Sequence, residues 1–508
     1  MKNIFTTSRI LFPVFVMAIL FAEFSYSQTY IDVAPGFGTL NDAVSSNTNP
    51  DAIFRLQRGD AAIYLLNGSV SNTIPLHIEA APGSGAIPKL IPGVSTSGSS
   101  DIAFRLHADV FLKNVYVTAM DAAGAMKTQI LRDMADSIKI FADSCFFENS
   151  AQSFIRTDNE LADIHITNST IRNCLGDYAN GRGIDDRGNN MDTLYLENNT
   201  FYNISSRVLR DGGGWINYAY INHNTFVNLG KYIMSIGECP NVVFTNNLAI
   251  DCGFLGKNQS STQALVEVDP LISADYLGRK QTVEAHNNNF AFNSTFNSHY
   301  PDTVIAVTNF NENMIAAMDS SGFDTTNFSE FVQFKTSLPD VDTIITNYWK
   351  AEGNDAYSAS GLYVTGNYDF SYPETSKSYT GGMNGKPVGA VTWFDMVLAV
   401  DNKTDRVVPN GFSLLQNYPN PFNPETVIEY NIPKRADVKL VVYNSLGQAV
   451  KTLVNGNETS GFHTVSWNGR NESGQSLSSG IYFYRLQAID KSGQAGNFSS
   501  TKKMILIK

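Results

Sequence analysis

Ile166-Thr-Asn-Ser-Thr-Ile-Arg-Asn-Cys174 is followed by three near copies of itself: Leu196-Glu-Asn-Asn-Thr-Phe-Tyr-Asn-Ile204, Ile221-Asn-His-Asn-Thr-Phe-Val-Asn-Leu229 and Phe244-Thr-Asn-Asn-Leu-Ala-Ile-Asp-Cys252. Each opens on an apolar residue, turns at a polar pair, resumes with an apolar run and closes on Asn or Asp just before its last residue. Weaker copies stand at Leu112-Lys-Asn-Val115, Phe141-Ala-Asp-Ser-Cys-Phe146 and Asn287-Asn-Asn-Phe290. The anchors recur every ~23 to 30 residues, one supersecondary unit per repeat. Apolar residues alternate within each unit, as at Ile164 and Ile166, which is the pattern of short strands rather than helices. About three such strands per repeat, stacked on those of the next repeat at ~4.8 Å, build a parallel β-solenoid. Asparagine supplies 50 of the 508 residues. In a solenoid that excess is architectural: amides at one coil position bond along the stack, and Asn tolerates the left-handed backbone of a sharp corner.

The remaining composition narrows the class. At 43% hydrophobic and 17% charged residues the chain can bury a core and is not broadly disordered. A net charge of -12 argues against a general nucleic-acid binder. Residues 1–27 read as a cleavable secretory signal: Lys2 and Arg9, an apolar run from Ile10 to Phe24, then Ser25-Tyr26-Ser27. Pro13 and Glu23 interrupt that run and leave it short of a membrane span, so no span is expected in the mature chain. Gln28, where a lipoprotein would carry Cys, argues against a lipid anchor. Cys145, Cys174, Cys239 and Cys252 match no zinc spacing and read as buried free thiols, with disulfide pairing as the alternative.

Aligning the coils exposes a second regularity. Arg105, Arg132, Arg156, Arg187 and Arg210 each end a short apolar run ahead of an anchor, with Asp133, Asp158, Asp185, Asp186 and Asp211 beside them. Stacked cations ~5 Å apart are costly unless paired, hydrated or meant for an anion. Two readings compete. In one, Arg and Asp pair along the stack and only stabilise it. In the other, the arginines grip an acidic polysaccharide by bidentate bonds, and a basic side chain removes the proton beside a uronate carboxylate in a β-elimination. The densest stretches, Gly181-Arg-Gly-Ile-Asp-Asp-Arg-Gly188 and Ser206-Arg-Val-Leu-Arg-Asp-Gly-Gly-Gly214, place Arg187 and Arg210 as catalytic candidates. Lys231, one coil further, is the candidate base. Arg105, Arg132, Arg156, Arg182 and Arg207 are the substrate-binding candidates, and Asp185, Asp186 and Asp211 are candidate calcium ligands. The glycines permit close ligand approach. His165 and His223 are expected to cap or pack.

Gly38-Thr-Leu-Asn-Asp-Ala-Val44 reads as a capping helix, and Arg58-Gly-Asp-Ala-Ala-Ile-Tyr-Leu-Leu-Asn-Gly68 as an opening rung. This opening and the Asn-rich coils after it resemble the pectin-lyase-like right-handed parallel β-helix proteins over roughly Tyr30 to Asp395. That family holds lyases, hydrolases, lectin-like and structural members, so the resemblance implies a fold and not a reaction. The Lys and Arg pair with acidic calcium ligands, used by lyases of the chondroitinase B and alginate lyase type, is not matched residue by residue. Asp185-Asp186 lacks the His-containing motif that accompanies the paired acids of polygalacturonases. Asp369-Phe-Ser-Tyr-Pro373 through Gly381 to Gly389, with Trp393-Phe394, resembles the closing segment of secreted bacterial members.

After a polar linker at 401–410, residues 411–508 change texture. The Pro-rich Leu415-Gln-Asn-Tyr-Pro-Asn-Pro-Phe-Asn-Pro424 forbids helix. Alternating strands follow at Thr426–Tyr430, Val438–Tyr443, His463–Trp467, Ile481–Leu486 and Lys503–Ile507, which read as a small Ig-like β-sandwich. Tyr418-Pro-Asn-Pro421, Val442-Tyr-Asn-Ser-Leu-Gly447, Gly461, Trp467-Asn-Gly469, Ser479-Gly-Ile-Tyr-Phe-Tyr484 and Lys502-Lys-Met-Ile-Leu-Ile-Lys508 are similar to the type A C-terminal sorting domain of type IX secretion cargo. That resemblance implies the type IX machinery as a partner and a secreted or outer-surface location, reached from the periplasm. The expectation for the whole chain is an all-β protein, a β-helix over 28–400 and then the sandwich. It is expected to bind an acidic polysaccharide, with lyase cleavage by β-elimination left open, or else to serve as a non-catalytic adhesin or structural surface protein.

Overall fold

The computed structural model describes residues 29–93, 102–176, 180–253, 264–293 without 275 and 277, 308–321, 326–336 and 364–396. In the C-terminal domain it describes 412–414, 422, 426–432, 436–444, 446–458, 461–490 and 498–506. The signal segment, the 401–410 linker and Tyr418–Pro421 lie outside the described residues.

One coil illustrates the solenoid: strand Met191–Glu197, a corner, strand Thr200–Ile204, then the short strand Leu209–Arg210 before the next coil opens at Ile216. Equivalent strands pair in parallel across coils and form sheets of ten, ten and nine strands, right-handed as parallel crossovers are. The expected three strands per repeat are present. Inward residues stack on their counterparts, as in Leu196, Ile221 and Phe244 along the first sheet, and leave a continuous apolar interior.

The corner between the first and second sheets uses two adjacent positions with different tasks. The first is left-handed: Asn168, Asn198, His223, Asn246 and Asn287 all have φ between 51° and 59°. The second carries the ladder. Asn224 Oδ1 accepts the backbone N–H of Asn199 at 3.0 Å, Asn247 Oδ1 that of Asn224 at 2.9 Å and Asn288 Oδ1 that of Asn247 at 2.9 Å. Each amide Nδ2 returns a bond to a strand carbonyl of the preceding coil, for example Asn224 to Leu196. Buried peptide groups that no sheet can reach are thereby satisfied. His223 occupies a corner position and packs there, its Nδ1 3.2 Å from the Gly389 carbonyl; burial lowers its pKa to about 4.

Both ends and one flank are covered. Helix Thr39–Ser46 closes the first coil with Leu40 and Val44, as expected. Helix Glu312–Ser321, which the repeat pattern did not signal, packs Met314, Ala317 and Met318 on the last coils. The closing segment forms a strap along the outer face of the second sheet. Val364, Phe370, Tyr372 and Val388 bury Tyr202, Val227, Leu248 and Ile250. The strap is pinned by Val391 N–H to Asn198 Oδ1 at 2.7 Å and Arg172 Nη1 to the Gly366 carbonyl at 2.6 Å. Gly389 is required here: its φ is 94° and a Cβ would fall 2.5 Å from Thr225 Oγ1.

On the outer face of the first sheet, His77, Phe111, Phe141, His165, Tyr195 and Tyr220 form a file with successive centroids 4.2 to 5.3 Å apart. The ring faces cover one another, so this file packs the solenoid. All four cysteines are free and buried, and burial raises Cys145, Cys174 and Cys239 to about 12 and Cys252 well above the usual thiol value.

The C-terminal domain has a three-stranded and a four-stranded antiparallel sheet around Trp467, Tyr484, Leu440 and Met504. Strand Ala449–Glu458 was missed in the sequence because its apolar residues are only partly buried and do not alternate cleanly. Replacing Asn224 by Ala strands the Asn199 N–H and the Leu196 carbonyl, and is expected to lower stability by about 2–4 kcal/mol in denaturant titration.

Candidate functional site

Register decides which charged residues share a face. On the outer surface of the third sheet Arg105 pairs with Arg132, Arg132 with Arg156, Arg156 with Asp185, and Asp185 with Arg210. The file is real, but its fourth member is Asp185 and not Arg187. The strand-end dipeptide is Phe104-Arg105, Leu131-Arg132, Ile155-Arg156, Ile184-Asp185 and Leu209-Arg210. Counting from the Asn anchors instead of the last apolar residue misplaces the fourth coil by two residues. Arg187 sits beyond the strand, exposed, at a corner with φ of 60°. It is therefore removed from the catalytic candidates.

Inside the edge of this file lies a second one. Arg182 and Arg207 occupy equivalent positions in successive coils, Arg182 following Ser153 in register. Asp185, nearly sealed from solvent, accepts from Arg182 Nη1 and, at 3.2 Å, from Arg210 Nη1. Arg207 lies over the Tyr232 ring with its guanidinium carbon 4.4 Å from the centroid, which fixes its plane. Lys231 is 6% exposed and its backbone N–H bonds to the Ser206 carbonyl at 2.8 Å. Burial, then the charges of Arg207, Arg182 and Arg210, lower its ammonium to about 7. Burial likewise lowers Arg182 and Arg207, and raises Glu267 near Arg207. The structure thus gathers Arg182, Arg207, Arg210 and Lys231 in one cluster, with Asp185 bonded to Arg182 and Arg210 and Glu267 near Arg207. Tyr232 and Glu267 went unnoticed in the sequence because neither belongs to the arginine repeat.

Upstream, Asp158 bridges Arg132 at 2.5 Å and Arg156 at 2.8 Å. Asp133 accepts the backbone N–H of Asp158 at 2.6 Å, and burial lifts it to about 6. The calcium trio does not assemble. Asp185 serves the arginines, whereas Asp186 accepts the N–H groups of Gly188 at 2.9 Å and Gly212 at 2.7 Å. Asp211 accepts those of Gly213 at 2.8 Å and Gly214 at 2.9 Å. Burial and the neighbouring Asp211 raise Asp186 to about 8, so it holds its proton at neutral pH. Among the described residues no three His, Cys, Asp or Glu side chains gather as a metal site. Gly212 and Gly214 serve the stack: a Cβ on Gly212 would come 2.3 Å from the Gly188 nitrogen of the coil below, and one on Gly214 2.4 Å from the Asn189 carbonyl oxygen.

Comparison with known proteins gives a match within the C-terminal domain. Residues 423–492 match the FlgD Ig-like domain family. The curated proteins hold no match for the chain. Among solved structures, a PL6 family alginate lyase, AlyGC, aligns with 60% of this chain and 40% of its own at 17% identity and a TM-score of 0.36. Dimeric latent PorU from Porphyromonas gingivalis aligns with 20% of this chain and 10% of its own, at 18% identity and a TM-score of 0.17. PorZ of the type IX secretion system of the same organism aligns with 22% and 13%, at 19% identity and a TM-score of 0.13. The chain spans less than half the length of each. No helix among the described residues is long and apolar enough to cross a membrane.

The lowered Lys231 pKa has a measurable cost. The unfolded lysine binds a proton up to about pH 10.5 and the folded one only to about 7, so stability rises with pH across that window. Lys231→Met is expected to be more stable than the parent by roughly 2–4 kcal/mol below pH 7, the gain shrinking towards pH 10.5, as followed by denaturant midpoints against pH.

Proposed function

We propose that the protein binds an anionic polysaccharide at the Arg182, Arg207, Arg210 and Lys231 cluster and cleaves it by β-elimination. The observation that carries this reading is Lys231: an amine buried among three guanidiniums, with a pKa of about 7, is half neutral at physiological pH and able to take a proton. Asp185 serves two arginines at once, and Glu267 lies near the third, Arg207.

The chemistry follows from these groups. Arg207 and Arg210 neutralise the uronate carboxylate, which makes the proton on the adjacent ring carbon removable. The Lys231 amine takes that proton. The electron pair forms a ring double bond as the neighbouring carbon–oxygen glycosidic bond breaks, and the leaving oxygen is protonated by water. No metal enters this scheme, because the acidic residues nearby are bonded to arginines and backbone amides.

The assay is unsaturated-uronate absorbance on alginate, pectate and chondroitin. The expected result is product on at least one polymer, rate rising with pH through about 7 as Lys231 loses its proton, and a drop of roughly 10²- to 10⁴-fold in Lys231→Met. Binding without product on any polymer assigns the protein to glycan capture, as an adhesin. Absence of both binding and product on every polymer contradicts the reading. For the C-terminal domain, the proposal is a type IX sorting address on an outer-surface or released protein. Deleting residues 411–508 is expected to leave the protein in the periplasm, and normal secretion of the truncated chain contradicts that role.

A further inference from the structure

Residues 411–508 hold ten Lys and Arg against six Asp and Glu, a positive module in a chain whose net charge is -12. Register shows where that charge collects. On the outer face of the four-stranded sheet Tyr443 pairs with Phe483, Phe483 with Lys503, and Ile481 with Ile505. Arg485, the next outward residue after Phe483, bonds through Nε to Thr501 Oγ1 at 3.1 Å, and its guanidinium carbon lies 5.4 Å from the Tyr443 ring centroid. Arg485 and Lys503 are exposed, and Ile481 keeps 47% of its surface in solvent. No Asp or Glu occurs in residues 439–450, 480–487 or 499–506, which build this end of the sheet. Glu472, beside strand Ala449–Glu458, is held by Lys451 Nζ at 3.1 Å and by the Thr452 N–H at 2.7 Å. Asp437 stands at the opposite end, in register with Ile489, and accepts from Asn457 Nδ2 at 2.9 Å.

At the same cationic end, strand Ala436–Asn444 turns back through a hairpin that carries Leu446, 82% exposed. The turn is pinned: Asn444 Oδ1 accepts the N–H of Leu446 at 3.1 Å and that of Gln448 at 2.9 Å, and the Gly447 N–H bonds to the Asn444 carbonyl at 3.0 Å. One exposed leucine carries no message by itself. Here it projects together with Ile481, with Arg485 and Lys503 on the face behind them and no carboxylate in the same stretches. Two protruding apolar side chains fall well short of the ~800 Å² per partner that a stable protein interface buries. An apolar tip backed by cations instead matches a bilayer with anionic headgroups, where the apolar atoms enter the acyl boundary and the cations meet phosphate. We propose that this end of the C-terminal domain docks on an anionic phospholipid bilayer, with Leu446 and Ile481 inserted and Arg485 and Lys503 on the headgroups. The docking depends neither on the Lys231 chemistry nor on the sorting role.

The test is flotation of the full chain with vesicles of phosphatidylethanolamine and phosphatidylglycerol at about 3:1, against vesicles of phosphatidylcholine alone, in about 0.1 M salt. The chain is expected to float with the anionic vesicles and not with the neutral ones, and to leave the anionic vesicles at about 0.5 M salt. Leu446→Gln is expected to weaken binding roughly tenfold, and Lys503→Gln roughly fivefold. Ile489→Gln, which removes an apolar side chain 52% exposed at the acidic end, is expected to leave binding unchanged. Thermal unfolding of each variant checks that the fold is kept, and the two weakening variants lie on different strands and turns, so each tests the surface without the other. No flotation with the anionic vesicles overturns the proposal, as does equal flotation with the neutral ones. Binding unmoved by both Leu446→Gln and Lys503→Gln, or weakened as much by Ile489→Gln, also overturns it.

Discussion

The buried hydrogen bond from an asparagine side chain to the backbone of the adjacent coil is the constraint on which this structure rests. A parallel solenoid pairs its strands without difficulty, but every coil must also turn between sheets, where the peptide groups point inward and have no strand partner. Asn199, Asn224, Asn247 and Asn288 answer that at one position, coil after coil, while the residue before each takes the left-handed backbone that makes the corner sharp. The ladder fixes register, and register places every other side chain. An offset of one residue would turn the outward arginines of the third sheet into the core.

Against that rigid frame, the cluster around Lys231 is an electrostatic load. Three guanidiniums and an amine lie close together, two of the guanidiniums sharing Asp185, and the frame tolerates it because strand pairing and the apolar interior hold the coils whatever the charges do. The amine relieves part of the repulsion by giving up its proton near neutrality, which is also what a base needs. Under the proposed function, stability and chemistry are opposed at the same atom. The acidic corner beyond it behaves in the opposite sense: Asp186 retains a proton to about pH 8 beside Asp211.

Much of this was legible in the sequence for a physical reason. The Asn corner repeats because each coil faces the same unsatisfied peptide group, so the period, the three-strand coil and the all-β class follow from it. The arginine file was also visible, since one position per coil is one position per repeat. What escaped was set by contacts between coils rather than within them. Arg187 looked equivalent to Arg156 along the chain, yet an extra residue pair moves it to an exposed corner and puts Asp185 in the file. Asp185, Asp186 and Asp211 resembled a cation site in one dimension; in three, the first turns to the arginines and the others to backbone amides. Helix Glu312–Ser321 and Tyr232 lie outside the repeat and left no periodic trace.

The account turns on the protonation of a single amine. Nitrogen-detected NMR titration of Lys231, assigned by comparison with Lys231→Met, measures it directly. The structure calls for a midpoint near pH 7, well separated from the exposed lysines. A midpoint above about 10, in the ordinary lysine range, would mean that the arginines around it are neutralised and that the cluster is only part of the stack.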